Sequence, residues 1–254
     1  MLLGIDHLVI AVRDPDAAAT ELENRLGLAA GGGGRHDRLG TFNRLVWLGD
    51  TYLELIGVFD PVLAAESWVG APTLRALERG GGLATWAIAT DDIDADVETL
   101  RTRGSDLALP VPGERVRPDG EVVRWRLSAP SRLDPDDPPF LIEHDTTAAE
   151  WSGADRAERA RGSARLMVLE IAVDDVNPAS RAFIRTTGLR FRPSLSGRGA
   201  RDTDVGGQIV RLRPRRDPGM AGATIHLRHD GAQGTEIDAV GCRWVVRPTE
   251  PAAG

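Results

Sequence analysis

An internal repeat constrains the fold of this chain more than any other feature of its sequence. Three segments begin IAVRD, IATDD and IAVDD, at Ile10, Ile88 and Ile171, and their starts are 78 and 83 residues apart. Each segment continues through a stretch with helical spacing of small and apolar residues and then reaches a glycine that can end a helix with positive φ. A period of this length predicts one small structural unit that recurs along the chain.

Each repeat predicts the same order of elements. An apolar strand ends at Asp14, Asp92 or Asp175, whose carboxylate can cap the following helix and face its positive end. Three strand-like runs follow the helix, so each unit is predicted to be a βαβββ module of about 80 residues. The predicted later strands are 28–30, 41–48 and 52–57 in the first module, 106–109, 121–128 and 140–143 in the second, and 190–193, 205–213 and 223–228 in the third.

Composition excludes several classes of function. Acidic residues outnumber basic ones by 38 to 31 and form a chain with net charge −7, so no nucleic-acid partner is expected. No apolar run approaches the length of a membrane span, and the amino-terminal segment lacks the features of a signal peptide, so a cytoplasmic protein is expected. The chain has no lysine, which excludes Schiff-base chemistry, and its one cysteine, Cys242, excludes an internal disulfide.

Tandem βαβββ modules resemble the vicinal oxygen chelate superfamily, which includes glyoxalase I, extradiol dioxygenases, epimerases and antibiotic-resistance proteins. More narrowly, GIDHLVIAVRD, GGRHDRLGTFNRL, DTYLELIG, ATWAIATDD, DGEVVRWRLS and PPFLIEHD look like a bacterial glyoxalase-like subfamily. The resemblance covers residues 4 to about 145. It implies an α+β fold in which two modules pair into a half-open, barrel-like curved sheet, and a third module is added.

The domain organisation follows from the repeat and the resemblance together. Residues 1–150 are expected to hold the paired modules, at about 4–60 and 82–145, followed by a linker at 151–163. Residues 164–247 would form the third module, and 248–254 a tail. An unpaired module leaves sheet edges and an apolar face open, so the third module is expected to pack on the first pair or to form a homodimer.

A run of four glycines at 31–34 suggests a phosphate-binding loop, but the residues around it exclude a nucleotide. A phosphate loop leads into a helix, whereas residues 41–48 alternate with the period of a strand, and the required Gly-Lys-[Ser/Thr] is missing. We expect a flexible lobe at the mouth of the curved sheet, in which Arg35 and His36 contact a ligand. A plain solvent-exposed hairpin is the alternative.

The resemblance also implies a metal site, because ligands in that superfamily come from the first and last strands of each module. The corresponding four positions are expected to be His7, Glu54, Thr85 and Glu143. His7, Glu54 and Glu143 could hold a divalent ion such as Mn, Fe, Mg or Zn. Alternatively, His7 and Glu54 could hydrogen-bond each other without a cation.

Two functions are compatible with these residues. The first is a metal-dependent isomerase, epimerase or lyase, in which Glu54 or His36 moves a proton. The second is a metal-free small-molecule binding or resistance protein. In both, a partly apolar ligand would contact the substrate-binding candidates Arg35, His36, Asn43, Trp86 and Trp125. Packing in the core is the alternative role for the two tryptophans.

Overall fold

A computed structural model describes residues 1–116, 122–145, 164–197, 199–216, 222–230 and 234–249. The predicted linker at 151–163 and all but the first two residues of the predicted tail lie outside the described residues. In the first part of the chain the elements are β1 (Leu2–Ala11), α1 (Pro15–Leu26), β2 (Ala30–His36), β3 (Thr41–Leu48), β4 (Thr51–Val58), α2 (Pro61–Glu66), α3 (Gly70–Glu78), β5 (Gly82–Thr90), α4 (Ile93–Thr102), β6 (Val111–Val116), β7 (Val122–Ser128) and β8 (Phe140–His144). The second part contains β9 (Ala164–Val173), α5 (Val176–Thr187), β10 (Arg192–Pro193), β11 (Arg201–Val205), β12 (Gln208–Pro214), β13 (Ala223–His229), β14 (Thr235–Ala239) and β15 (Cys242–Pro248).

The three repeated aspartates cap their helices as the sequence predicts. Asp14 accepts hydrogen bonds from two backbone amides of α1, and Asp92 and Asp175 each accept one at the start of α4 and α5. Gly27 and Gly188 end α1 and α5 with φ values of 69° and 75°. These caps stop each strand and redirect the chain onto one face of the sheet, which is what produces the repeating unit.

The predicted α+β fold built from βαβββ modules is confirmed. Two modules form one curled, eight-stranded sheet in the order β2-β3-β4-β1-β5-β8-β7-β6. The first strands of the two modules, β1 and β5, run antiparallel at its centre, and each lies parallel to the last strand of its own module, β4 or β8. The inward side chains of these four central strands therefore converge.

The second half of the chain contains more strands than the one module predicted there accounts for. The run 205–213 is divided by a turn at Gly206 and Gly207, so that it contributes to both β11 and β12. The strand predicted to close the third module, β13, instead lies antiparallel to β9, as β5 lies to β1. It begins a fourth unit with β14 and β15.

The two sheets pack against each other within the chain. The second sheet has the order β10-β11-β12-β9-β13-β15-β14, and its apolar face shares one buried core with the helix-bearing face of the first sheet. Trp86 of β5 stacks on Phe183 of α5 in this core, with ring centroids 6.3 Å apart. The apolar face of the predicted third module is thus covered by the first pair of modules, which is one of the two arrangements that the sequence predicts. None of the described helices has the length and apolar character needed to span a bilayer.

The glycine run does not form a separate lobe, because residues 30–36 pair with β3 as strand β2. Glycine is required at Gly33, where φ is 115° and an added Cβ would lie 2.3 Å from the carbonyl oxygen of Asn43. This close approach of two backbones explains why a glycine-rich segment can still form a strand. Gly34 then donates its backbone N–H to the side chain of Asn43 at 2.8 Å.

Candidate functional site

The inward face of the first sheet carries protonable side chains between apolar ones. In the strand register, His7 lies opposite Tyr52, and Val9 lies opposite both Glu54 and Thr85. On the other half, Ala87 lies opposite Phe140. Side chains opposite each other on paired strands share a face, so His7, Glu54, Thr85 and Phe140 all point into the concavity.

The imidazole of His7 is enclosed by two aromatic rings. Its ring stacks on Tyr52 with centroids 4.7 Å apart, and the ring of Phe140 meets it edge-on at 5.4 Å. Only 3% of His7 is exposed to solvent. These contacts fix the plane of the imidazole, so its two nitrogens point in defined directions.

Asp6 holds one nitrogen of His7. The Nδ1–H of His7 donates to Asp6 Oδ1 at 2.6 Å, and Nε2 of His144 lies 3.4 Å from the same carboxylate. Burial raises the pKa of Asp6, but the hydrogen bonds from His144 and His7 outweigh burial and hold the pKa below its ordinary value. Asp6 is therefore a charged carboxylate that fixes the proton of His7 on Nδ1 and leaves Nε2 available as a base.

Consecutive residues of a regular strand point to opposite faces, so contact between Asp6 and His7 needs a local irregularity. The pairing of β1 with β5 shifts its register between Ile5 and His7, as at a β-bulge. A side chain from the second sheet binds β1 at this point. Gln208 accepts the backbone N–H of Ile5 at 2.7 Å and donates to the hydroxyl of Thr51 at 2.6 Å.

Glu54 lies on the other side of His7. Its Oε2 is 3.7 Å from His7 Nε2, and its Oε1 accepts a hydrogen bond from the amide of Asn43 at 2.6 Å. The same amide nitrogen is 3.5 Å from Nε2 of His36, whose Nδ1 is 2.9 Å from the hydroxyl of Thr41. A continuous series of polar contacts therefore crosses the concave face, in the order His144, Asp6, His7, Glu54, Asn43, His36.

The structure does not bring Glu143 to His7 and Glu54. Strand β8 presents Phe140 and His144 to the concavity, so Glu143 points to the helix-bearing face. There Glu143 Oε2 accepts the backbone N–H of Ile93 at 3.2 Å, at the start of α4. A carboxylate at this position stabilises the amino-terminal end of the helix.

The remaining substrate-binding candidates are spread over three environments. Trp86 is fully buried between the two sheets, away from the concavity. Trp125 lies opposite His144 and points into the concavity at its edge. Arg35 is exposed, pairs with Asp37 at 2.7 Å and places its guanidinium 3.4 Å from the ring centroid of Phe59. Of the predicted set, only His36, Asn43 and Trp125 share the inward face with His7.

Sequence reasoning missed Asp6, Tyr52, Phe140 and His144. Alternation places Asp6 and His7 on opposite faces, and no residue type in the segment marks the bulge that brings them together. Alternation along β8 puts Glu143 and His144 on opposite faces, and the register shows that His144 is the one that points inward. The aromatic character of Tyr52 and Phe140 was visible, whereas their contact with His7 depends on strand register.

A family model described as a glyoxalase-like domain matches residues 5–187, which is more than half of the chain. The chain belongs to this glyoxalase-like family. The resemblance to the vicinal oxygen chelate superfamily is thereby confirmed. None of the curated proteins matches the sequence.

Solved structures align with all or part of this glyoxalase-like protein. A hypothetical protein from Staphylococcus aureus is 16% identical, with a TM-score of 0.77 over 98% of this chain and 100% of that one. The alignment with a methylmalonyl-CoA epimerase of Streptomyces coelicolor covers 57% of this chain and 100% of that one, at 22% identity and a TM-score of 0.44. The alignment with the epimerase from Mycobacterium tuberculosis covers 58% of this chain and 92% of that one, at 23% identity and a TM-score of 0.43. The first match extends over both sheets of the glyoxalase-like chain.

The donor set of this glyoxalase-like protein does not fit a divalent-metal centre. The register makes Phe140, rather than Glu143, the counterpart of Glu54 in the second module, because Phe140 lies opposite Ala87 as Glu54 lies opposite Val9. Thr85 is the counterpart of His7, so the second module supplies a hydroxyl and a benzyl ring. Within the described ranges, no three His, Cys, Asp or Glu side chains are grouped as metal ligands. His7 and Glu54 alone are too few donors for the ions that were predicted.

Proposed function

We propose that this glyoxalase-like protein binds a small, partly apolar metabolite on the concave face of the first sheet and transfers a proton on it without a metal. Isomerases, epimerases and lyases perform this type of reaction. The observation that supports the proposal is the setting of His7, whose Nδ1 is held by Asp6 and whose Nε2 lies 3.7 Å from Glu54. A buried imidazole between two carboxylates is suited to accept and return a proton.

The roles of the residues follow from their contacts. The C–H bond next to a carbonyl group would break, its proton would pass to Nε2 of His7, and the electron pair would remain on the substrate as an enolate. Asp6 would stabilise the imidazolium that forms, since its charged carboxylate already accepts the Nδ1–H. Nε2 of His7 would then return a proton to the enolate, which restores the neutral imidazole. Glu54, held in position by its hydrogen bond from Asn43, would stabilise the imidazolium from its other side until then.

Two further features support binding at this face. The hydroxyl of Thr85 is buried and has no hydrogen-bond partner among the described residues, so a bound molecule could satisfy it. Tyr52, Phe140 and Trp125 supply an aromatic lining for the apolar part of the ligand. The metabolite is therefore expected to combine a carbonyl group with a short apolar portion.

Hydrogen exchange in D2O tests the proposal without knowledge of the product. A panel of 2-oxo acids, hydroxyketones and acyl thioesters would be incubated with the protein, and deuterium uptake next to the carbonyl followed by proton NMR. We expect exchange of at least one class, a loss of about 100-fold or more in His7→Gln, and normal exchange in His229→Gln. Exchange that is unaffected by His7→Gln would refute the assignment of the base.

Chelation separates this proposal from the metal-dependent version. We expect exchange to persist after treatment with EDTA and in protein shown by elemental analysis to carry no stoichiometric metal. Activity that disappears with EDTA and returns with Mn, Fe, Mg or Zn would support the metal-dependent mechanism instead.

A metal-free binding protein without catalysis is the second candidate, favoured by the hydrogen bonds that His7 makes to Asp6 and Asn43 makes to Glu54. It predicts saturable quenching of tryptophan fluorescence by a ligand that shows no deuterium exchange. Under this alternative, His7→Gln would change affinity alone.

A further inference from the structure

A cleft separate from the His7 centre lies between α3 and the segment 129–134. Its volume is about 510 Å³, within the usual range for pockets that hold small molecules. Trp68, Pro72 and Pro130 give it apolar walls, and Arg75, Arg132 and Asp134 supply its polar groups. The cleft is thus large enough for a metabolite and combines planar apolar surface with charge.

Asp134 positions the two arginines of the cleft. This carboxylate is only 5% exposed and accepts hydrogen bonds from Nε of Arg75 at 3.0 Å and from Nε of Arg132 at 3.2 Å. Nη2 of Arg75 also donates to the carbonyl oxygen of Leu133 at 2.6 Å. Among the described residues, Nη1 of Arg75 and both terminal nitrogens of Arg132 have no protein partner, so these donors remain for a ligand.

The local charge is positive. Arg79 also approaches Asp134, with N···O at 3.5 Å, so three guanidinium groups face the carboxylates of Asp134 and Asp137. A third carboxylate nearby, Asp136, pairs with Arg215 at 3.6 Å. Asp106 binds the backbone N–H and the hydroxyl of Ser131 at the edge of the cleft. The charged side chains that line the cleft itself are two arginines and one aspartate, so an anion would enter a site with one more cation than anion.

We propose that this cleft binds a small molecule that carries a carboxylate or phosphate group on a planar, apolar body. The oxyanion would accept hydrogen bonds from Arg75 and Arg132, whose planar guanidinium groups match two oxygens at once. The body of the ligand would pack on Trp68 between Pro72 and Pro130.

This site goes beyond the proposed proton transfer, because His7 does not line the cleft. The rings of Trp68 and Phe140 lie between the cleft and His7. The centroids of Trp68 and Phe140 are 5.0 Å apart, and those of Phe140 and His7 are 5.4 Å apart. The cleft and the His7 centre can therefore be tested independently.

Isothermal titration calorimetry with benzoate, phenyl phosphate, inorganic phosphate and benzyl alcohol tests the proposal on the full chain. We expect benzoate or phenyl phosphate to bind at least about tenfold more tightly than benzyl alcohol, which lacks the charge, and than inorganic phosphate, which lacks the ring. The two aromatic anions distinguish a carboxylate site from a phosphate site.

Variants locate the binding. Arg132→Gln should weaken binding of the preferred anion at least about tenfold, and its exposed side chain makes misfolding a poor explanation of that result. The matched control Arg124→Gln, which removes an exposed arginine paired with Glu114, should leave affinity unchanged. His7→Gln should also leave it unchanged, so failure of the proton-transfer proposal would not affect this result.

Two outcomes would overturn the cleft assignment. One is equal binding of benzoate, phenyl phosphate and benzyl alcohol, which would mean that no anion site exists. The other is equal loss of affinity in Arg124→Gln and Arg132→Gln, which would mean that general surface charge, rather than the cleft, attracts the anion.

Discussion

Replacement of Gln208 by alanine tests the hydrogen-bonded connection between the second sheet and the candidate site. The substitution leaves the buried N–H of Ile5 without an acceptor, which costs about 1–3 kcal/mol, and removes the hydrogen bond to Thr51, worth about 0.5–1.5 kcal/mol. We therefore expect the free energy of unfolding to fall by about 3 kcal/mol. For a chain of this size, the melting temperature should fall by about 6–12 °C.

The assay combines thermal unfolding with NMR of the imidazole. Because Ile5 lies at the bulge that brings Asp6 to His7, Gln208→Ala should also shift the nitrogen signals of His7, while those of His229 stay unchanged. Glu98→Ala, which alters an exposed residue of α4, is the control and should change the melting temperature little. A loss below about 1 kcal/mol with an unchanged His7 spectrum would show that Gln208 is a surface residue without influence on β1.

Three other predictions concern the assigned environments. Asp6→Asn should be less stable than the wild type above about pH 4. The difference should shrink as the pH falls towards the lowered pKa of Asp6, because protonation removes the charge that His7 and His144 bind. Urea unfolding between pH 2 and 7 measures this difference, and a difference that grows in acid would contradict the prediction. Trp86→Ala should cost about 3–5 kcal/mol of unfolding free energy, against clearly less for Trp125→Ala at the half-buried edge of the concavity; equal losses in chemical denaturation would argue against the core position of Trp86. Burial raises the pKa of the Cys242 thiol to about 12, so the native protein should resist thiol reagents at pH 8 and react only when unfolded, and rapid labelling of the native protein would refute its burial.

The repeat predicts the modules well because each unit carries its own local signals. The aspartate at the end of the first strand and the glycine at the end of the helix act within one turn of chain, so Asp14, Gly27 and Asp175 could be interpreted without tertiary information. The sequence of the fourth unit does not carry the signature shared by IAVRD, IATDD and IAVDD, so the repeat did not reveal this unit. Its existence depends on the long-range pairing of β13 with β9.

The candidate site was harder to predict because it depends on register. The sequence predicts His7 and Glu54 at one site and Asn43 as a ligand contact. In the structure Asn43 donates a hydrogen bond to Glu54, and Oε2 of Glu54 lies 3.7 Å from Nε2 of His7. Glu143 was aligned by sequence likeness alone, while the pairing of β8 with β5 gives its place to Phe140. A one-residue shift in register moves every side chain of a strand to the other face, and sequence patterns rarely resolve such a shift.

Comparison of equivalent positions in the four units indicates where chemistry can occur. In the first sheet these positions hold His7, Glu54, Thr85 and Phe140. The equivalent positions of the second sheet lie on β9, β12, β13 and β15, and they hold Val168, Arg211, Thr224 and Val245. Arg211 is bound to Asp202 at 2.8 Å, and the other three side chains cannot transfer protons near neutral pH.

Protonable side chains at these positions are therefore confined to the first of the four units. This asymmetry favours acid–base chemistry at one end of the concavity over symmetric coordination of an ion between two modules. It also assigns the second sheet a different part in the protein, because Gln208 reaches β1 at the residue next to Asp6. If proton transfer occurs at His7, the second sheet contributes to it by holding the bulge of β1 rather than by supplying a second reactive centre.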